Sequence, residues 1–412
     1  MAVERIGSII KHLAPGSALG SLQAKNADDI VITVAIRTPL TKARKGGFKD
    51  SGIEYLAYCL LKELKTRSGI DPALVEDFAF GNVNDPLAAS KIRAAALAAG
   101  FPNTAGAYAV NRFCSSGLKA TADIADSIRS GAIDIGVAVG GESMSAPGAP
   151  PFPFNEEVME NQEVQDSLEP MGWTSENVAA DFNITRQQMD EYAAESFQRA
   201  ERAQKAGWFD DEIVPIKAKV EGKDGEITEI TVTKDEGIRP GTTKESLAKV
   251  RAAFPQWGET TTGGNASQVT DGAAAILLMK RSTAIKLGQP ILAKYVGSTV
   301  AGLAPRIMGI GPSVAIPKLL AKYNITLADV DVIELNEAFA SMAVYCRDKL
   351  NLDWAKMNPR GGAIALGHPL GATGARQIVT GLSELRRQDK KVLLTSMCIG
   401  SGQGMAALFI RE

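Results

Sequence analysis

Apolar positions in this chain fall either in short unbroken blocks or at spacings of three and four, the two textures expected of buried strands and of helices. DDIVITVAIRTPL predicts a first buried strand beginning near Asp28. YLAYCLLKELKTRSG repeats at helical spacing, DFAFGNV is strand-like, and SKIRAAALAAG is helical again. Such alternation predicts an α/β architecture with a mostly parallel sheet. From about residue 149 to 262 the texture changes to PGAPPFPFNEE, the charged helix TRQQMDEYAAESFQRAERAQKAG and a hairpin-like EGKDGEITEITVTKDEG. After Asp271 the α/β texture returns with GAAAILLMKRSTAIKLG, and PILAKYVGSTVAG opens another run of strands.

The two α/β regions resemble each other. NRFCSSGLKATADIADSIRSG leads into DIGVAVGGESMS, and GHPLGATGARQIVTGLSELRR leads into KVLLTSMCIGSG. Each reads as a Gly-flanked polar residue, a helix and an apolar strand ending in a Gly-rich turn, so we infer an internal duplication with Cys114 and His368 at equivalent helix starts. The predicted organisation is a segment and tether over 1–28, a first core domain over 29–148 with 263–288, an inserted loop domain over 149–262, and a second core domain over 289–412.

Composition narrows the function classes. In 412 residues, 45% hydrophobic and 22% charged content supports two or three packed domains. Lys plus Arg (45) nearly balances Asp plus Glu (47), so no electrostatic footprint for nucleic acid exists. No apolar run approaches the roughly 18 residues that would cross a bilayer, so no membrane insertion is expected. The four cysteines form no CxxC pair, which argues against structural zinc or a disulfide framework, and no metal site is expected.

Candidate chemistry sits in the turns. Leu118, Ala122, Ala125 and Ile128 recur at helical spacing, which places Cys114 at a helix start where free N–H groups favour a thiolate. Taken alone, Cys114 reads equally as a small buried hydrophobe. His368, one of two histidines, precedes Pro369, a residue suited to a first helical position. Cys398 closes an apolar strand and opens CIGSGQG, whose N–H groups can gather into an anion-binding nest. Asn336 and Glu337 fall where a strand ends and a helix begins, as an amide available to hold a water or as an ordinary cap.

Six motifs together resemble the thiolase family, its 3-ketoacyl-CoA branch in particular: NRFCSSG around Cys114, GGESMS at 140–145, GNASQVTDG at 264–272, NEAF at 336–339, GGAIALGHPLGATGAR at 361–376 and CIGSGQG at 398–404. The resemblance implies a five-layer αβαβα arrangement of two duplicated domains and a homodimer. It implies Cys114 as nucleophile and acyl carrier, His368 as its base and part of an oxyanion site, and Cys398 as acid and base. Asn336 would hold an oxyanion water, and Gly400 would offer a backbone N–H.

CoA is implied as co-substrate, with no tightly bound cofactor. Ser267, Met171, Ala338 and Phe339 match positions near its pantetheine, and Arg239 is a candidate for its adenine or phosphates as well as an ordinary solvated charge. Where short-chain biosynthetic thiolases have His before that Met-Gly, this chain has Pro170, which points to a degradative enzyme for longer acyl chains. The alternatives are an acetoacetyl-CoA-forming biosynthetic thiolase, a ketoacyl synthase, a Cys-His hydrolase, and a non-catalytic acyl-CoA or lipid carrier on the same scaffold.

The other histidine lies in RIGSIIKHL, residues 5–13, which resembles the second peroxisomal targeting signal in Arg5, Ile6, His12 and Leu13. Ile6, Ile9, Ile10 and Leu13 share a helical face suited to an import receptor's groove, or to packing on the protein itself. The expected location is the peroxisomal matrix.

Overall fold

The computed structural model describes residues 18–148 and 153–412, so Arg5, Ile6, His12 and Leu13 lie outside the described residues. Its strands are β1 (Ile30–Arg37), β2 (Thr41–Lys42), β3 (Asp77–Gly81), β4 (Gly106–Val110), β5 (Ile135–Ser143), β6 (Ile216–Glu221), β7 (Ile227–Val232), β8 (Thr270–Lys280), β9 (Ala293–Gly302), β10 (Val332–Leu335), β11 (Val392–Ile399) and β12 (Gln403–Arg411). The β6-β7 hairpin stands apart as a two-stranded sheet, and β2 pairs with β8; the others run β10-β11-β12-β9-β1-β8-β5-β3-β4.

That order contains one pattern twice. The first half, β4-β3-β5-β8-β1, pairs parallel, parallel, antiparallel, antiparallel. In the second half a parallel bridge from Met357 to Ile333 begins the same series, continued by β10-β11 parallel and by β11-β12 and β12-β9 antiparallel. The halves meet where β1 pairs with β9 through Val31 and Ile32 alone. Identical order and direction bear out the duplication read from the sequence.

The expectation of a mostly parallel sheet is corrected: antiparallel pairings outnumber parallel ones. Strands such as β5 and β11, buried at every residue, carry the same unbroken apolar run whichever way a neighbour points. Direction is set by connection instead. β11 and β12 are joined through a tight turn at Gly400–Gly402, where Ser401 and Gly402 take left-handed φ, and a turn that short can only return the chain antiparallel.

Two helices, Ser116–Ser130 and Leu370–Gln388, form the middle layer and touch strands of both halves. Leu118, Ile124 and Ile128 of one and Ala375, Ile378 and Leu382 of the other share a core with β1, β8, β11 and β12. Outside, helices Ile53–Ser68 and Ala88–Ala98 cover the first half, and Pro312–Tyr323 and Ala340–Leu350 cover the second. The result is five layers, αβαβα.

The middle helices approach each other at glycines. A Cβ on Gly117 would lie 2.6 Å from the Gly371 carbonyl oxygen, and one on Gly374 would lie 2.5 Å from the Leu118 nitrogen. Gly371 is as tight, its missing Cβ falling 2.5 Å from Gly81 O and 2.8 Å from Gly141 O. No side chain fits between backbones at that separation.

Helix Arg186–Lys205 opens with a capping box between Thr185 and Gln188 and packs into the second half's core. Buried ion pairs tie this region to both halves. Arg37 at the end of β1 contacts Glu212 and Asp235, each at 2.7 Å, and Glu212 also accepts from Arg360, which contacts Glu384 of the helix Leu370–Gln388 at 2.6 Å. Removing one partner of such a set would strand a buried charge.

Gly371→Ala is expected to destabilise the protein by roughly 1–3 kcal/mol through overpacking against fixed carbonyls. Urea unfolding checks this, and an unchanged midpoint would contradict the described crossing.

Candidate active site

Cys114 sits two residues before the first turn of Ser116–Ser130. Phe113, just before it, takes φ 47°, an uncommon conformation for a bulky residue. Both serines of CSSG brace that turn: Ser116 Oγ accepts from Arg112 N (2.9 Å) and donates to Phe113 O (2.6 Å), and Ser115 Oγ donates to Arg112 O (3.0 Å). The backbone N–H groups of Gly400 and of Cys114 itself lie close enough to the Cys114 sulfur to lower its proton affinity. A Cβ on Gly400 would come within 3.1 Å of the Phe113 ring, which would have to shift to admit it.

His368 is placed by the same device in the other half. Gly367 before it holds φ 109°, and a Cβ there would strike the Thr270 hydroxyl at 2.2 Å. Pro369 takes the cap position and the helix begins at Leu370, one residue later than expected. His368 N donates to Gln268 O (3.0 Å), which fastens the turn to GNASQ.

The ring's tautomer follows from its partners. Thr373 Oγ1 donates its single proton to Pro369 O (2.9 Å), so at 2.6 Å it accepts from His368 Nδ1–H. Nε2 therefore carries the lone pair, and Asn336 Nδ2 donates to it at 3.3 Å. Cys398 lies within electrostatic reach of Cys114, which raises its proton affinity, and of Asn336, which lowers it. Cys114, His368, Cys398, Asn336 and Gly400, scattered over 287 positions of sequence (114 to 400, inclusive), are thus brought together.

Electrostatics correct one expectation. The helix start does not yield a resting thiolate: burial pushes the Cys114 thiol up to about 11, outweighing the N–H groups of Gly400 and Cys114, while Glu142 adds to the rise. Burial, aided by the Arg376 guanidinium, pushes His368 down to about 3. Burial likewise holds Cys398 well above the usual thiol value. A dry site disfavours every charged form, so the resting centre is two thiols and a neutral imidazole whose unprotonated Nε2 can act as base.

Of the remaining candidates, Met171, Ala338 and Phe339 pack with Met308, Met342 and Cys398 in one apolar cluster beside the site. Ser267, half-buried, donates its N–H to Ala338 O at 2.9 Å. Arg239 is exposed, lying over the Phe197 ring and donating to Gly263 O at 3.3 Å. Glu337 is no helix cap: Tyr192, Ser196, Asn358 and the Ile364 N–H all donate to its buried carboxylate, which fixes the loop leading to His368.

Two residues of the site were not singled out from sequence. Thr373 lies one helical turn beyond His368, where a hydroxyl in an otherwise small, apolar LGATGA run was the available signal. Glu142 stands in a quoted motif as a lone carboxylate at the end of a strand buried at every residue.

Because the Cys114 proton is held to about 11, its thiolate fraction grows about tenfold per pH unit below that value. Alkylation of the resting enzyme by iodoacetamide, followed on the Cys114 peptide by mass spectrometry, is expected to climb steadily from pH 7 to pH 9. A plateau within that range would contradict the neutral pair.

Comparison with known proteins gives one family. Residues 30–282 match the thiolase N-terminal domain and residues 289–411 the thiolase C-terminal domain. The peroxisomal 3-ketoacyl-CoA thiolase of Yarrowia lipolytica is 51% identical over the full length of both chains. The crystal structure of the dimeric peroxisomal thiolase of Saccharomyces cerevisiae, 48% identical, superposes with a TM-score of 0.88 over 95% of this chain and 100% of that one. Human mitochondrial 3-ketoacyl-CoA thiolase in complex with CoA is 34% identical, with a TM-score of 0.83 over 94% and 98% of the two chains. Both domain models match, in order and across nearly the whole described chain, and this protein belongs to the thiolase family.

Proposed function

We propose that this protein is a peroxisomal acyltransferase that cleaves 3-ketoacyl-CoA with CoA, giving acetyl-CoA and a shortened acyl-CoA, the last step of fatty-acid β-oxidation. The observation that carries this reading is a base with an unprotonated Nε2 set among two thiols in one buried site, in a chain about half identical to a peroxisomal 3-ketoacyl-CoA thiolase.

The reaction runs in two halves. Cys114 Sγ attacks the 3-keto carbon while its proton passes to His368 Nε2, so thiolate and imidazolium arise only as charge moves onto the substrate. The tetrahedral oxyanion collapses, the bond between C2 and C3 breaks, and C2 takes the Cys398 proton to leave as acetyl-CoA. Acyl-Cys114 and the Cys398 thiolate remain. A second CoA gives its thiol proton to Cys398 and attacks the acyl carbonyl. Collapse of that intermediate expels Cys114, which recovers its proton from His368.

Each half-reaction needs a site for negative oxygen. We assign one to the N–H groups of Cys114 and Gly400, supported by the way both favour negative charge on the nucleophile. The other we assign to protonated His368 and a water held by Asn336, whose Oδ1 makes no hydrogen bond among the described residues. Removing such a donor costs about a hundredfold or more in turnover.

CoA would enter past residues 149–262, with its pantetheine along Met171, Ala338, Phe339 and Ser267 and its nucleotide near Arg239. The apolar cluster ending at Cys398 supports that path. The domain boundaries given above, with core domains over 29–148 plus 263–288 and over 289–412, remain part of this proposal. A homodimer is the assembly we infer, since the yeast relative is dimeric and the outer edge of half-covered β4 takes no strand partner among the described residues.

Purified protein is expected to consume 3-ketooctanoyl-CoA only with CoA present, and Cys114→Ala to abolish this. Efficient cleavage of acetoacetyl-CoA with none of 3-ketooctanoyl-CoA would favour the biosynthetic reading, and release of free acid without CoA a hydrolase.

For residues 5–13 we propose recognition by a peroxisomal import receptor. Arg5→Ala with Leu13→Ala is expected to leave catalysis intact and strand a tagged protein in the cytosol; import as in wild type would refute it.

A further inference from the structure

The duplicated sheets give an equivalence that the sequence conceals. On the first half Gly81 of β3 pairs with Gly140 of β5, and on the second Leu335 of β10 pairs with Ser396 of β11. One residue beyond Gly81 is Asn82 and one beyond Leu335 is Asn336; two beyond the partners are Glu142 and Cys398. Cys114 and His368 each stand two residues ahead of the paired middle helices. Asn336, His368 and Cys398 therefore have counterparts in Asn82, Cys114 and Glu142. The proton carrier of one half corresponds to a buried carboxylate in the other.

Glu142 is 1% exposed and forms no ion pair among the described residues. Its charge is answered by four neutral donors. Oε1 accepts from Asn84 N (3.1 Å) and Asn82 Nδ2 (3.2 Å), and Oε2 from Val83 N and Gly371 N, each at 3.0 Å. Gly371 lies in the first turn of the helix that His368 heads, where an N–H has no partner within the helix. One carboxylate thus bridges the loop after β3 and the start of the His368 helix, at the point where Gly371 meets Gly81 and Gly141.

We propose that Glu142 is a positioning residue of the active site: its carboxylate clamps the first turn of the His368 helix to the loop after β3 and so holds His368 and Cys114 at working distance. The inference rests on the thiolase reading above. A second effect follows from charge, because Glu142 opposes a thiolate at Cys114. Burial pushes Glu142 itself up to about 7, against the pull of its N–H donors. Charged or titratable groups on the elements around it include Asp85, paired with Lys91, on the loop after β3; Cys114 and His368 ahead of the two helices; Arg376, paired with Glu334, on the helix Leu370–Gln388; and Asp271 on β8.

Two variants of the full-length enzyme separate these effects. Glu142→Gln keeps the shape but turns an amide N–H₂ toward backbone N–H groups; Glu142→Asp keeps the charge and shortens the reach. Both are expected to lower kcat for thiolysis by about tenfold or more while the KM for CoA stays within about twofold. Glu142→Gln alone is expected to displace the pH profile of Cys114 alkylation, toward lower pH. A kcat within about twofold of wild type in either variant, a loss carried by KM instead of kcat, or an alkylation profile that Glu142→Gln leaves in place overturns the proposal. If Glu142→Gln does not fold, kcat and KM of Glu142→Asp decide. Alkylation requires no acyl-CoA, so absence of thiolysis in the wild type counts against the functional reading while the alkylation profiles still judge Glu142.

Discussion

Everything about this site depends on two helices meeting backbone to backbone. Gly117, Gly371 and Gly374 remove the side chains that would hold Ser116–Ser130 and Leu370–Gln388 apart. Each helix carries its reactive residue two positions before its first turn, so the crossing that brings the N-termini together also brings Cys114 and His368 together. Burial then follows, because the two helices form the middle layer and a sheet covers each side.

Burial sets the chemistry. With Cys114 held to about 11 and His368 lowered to about 3, an ion pair between them is disfavoured. The charge that appears during reaction has to be met by groups already aimed at it, namely the N–H groups at the sulfur and the imidazole fixed by Thr373 and Asn336. A carbon leaving group also needs a proton that water is not present to give, and Cys398, buried and still protonated, suits that need.

The halves of a duplication need not keep the same chemistry. Their sheets agree in order and direction, and both place an Asn after the strand next to the middle helix. The polar groups set around those asparagines have diverged, into Cys114 with Glu142 on one side and His368 with Cys398 on the other. The buried ions Arg37, Glu212, Asp235, Arg360 and Glu384 hold residues of the intervening region against both halves, and helix Arg186–Lys205 supports the His368 loop through Glu337.

By itself the sequence determined the alternation of strands and helices, the hairpin at β6-β7 and the duplication, and its motifs marked Cys114, His368 and Cys398 as the candidate trio. These are local: a period, a turn or a nucleophile at a helix start is written in adjacent residues. Strand direction was not legible in the apolar runs, since a run buried on both faces reads the same whichever way its neighbour points. Only the tertiary structure decided the neutral resting state of Cys114, the tautomer of His368 and the clamp at Glu142. Each depends on how much water is excluded and on which distant donor arrives, and those quantities exist only after the two halves have packed together.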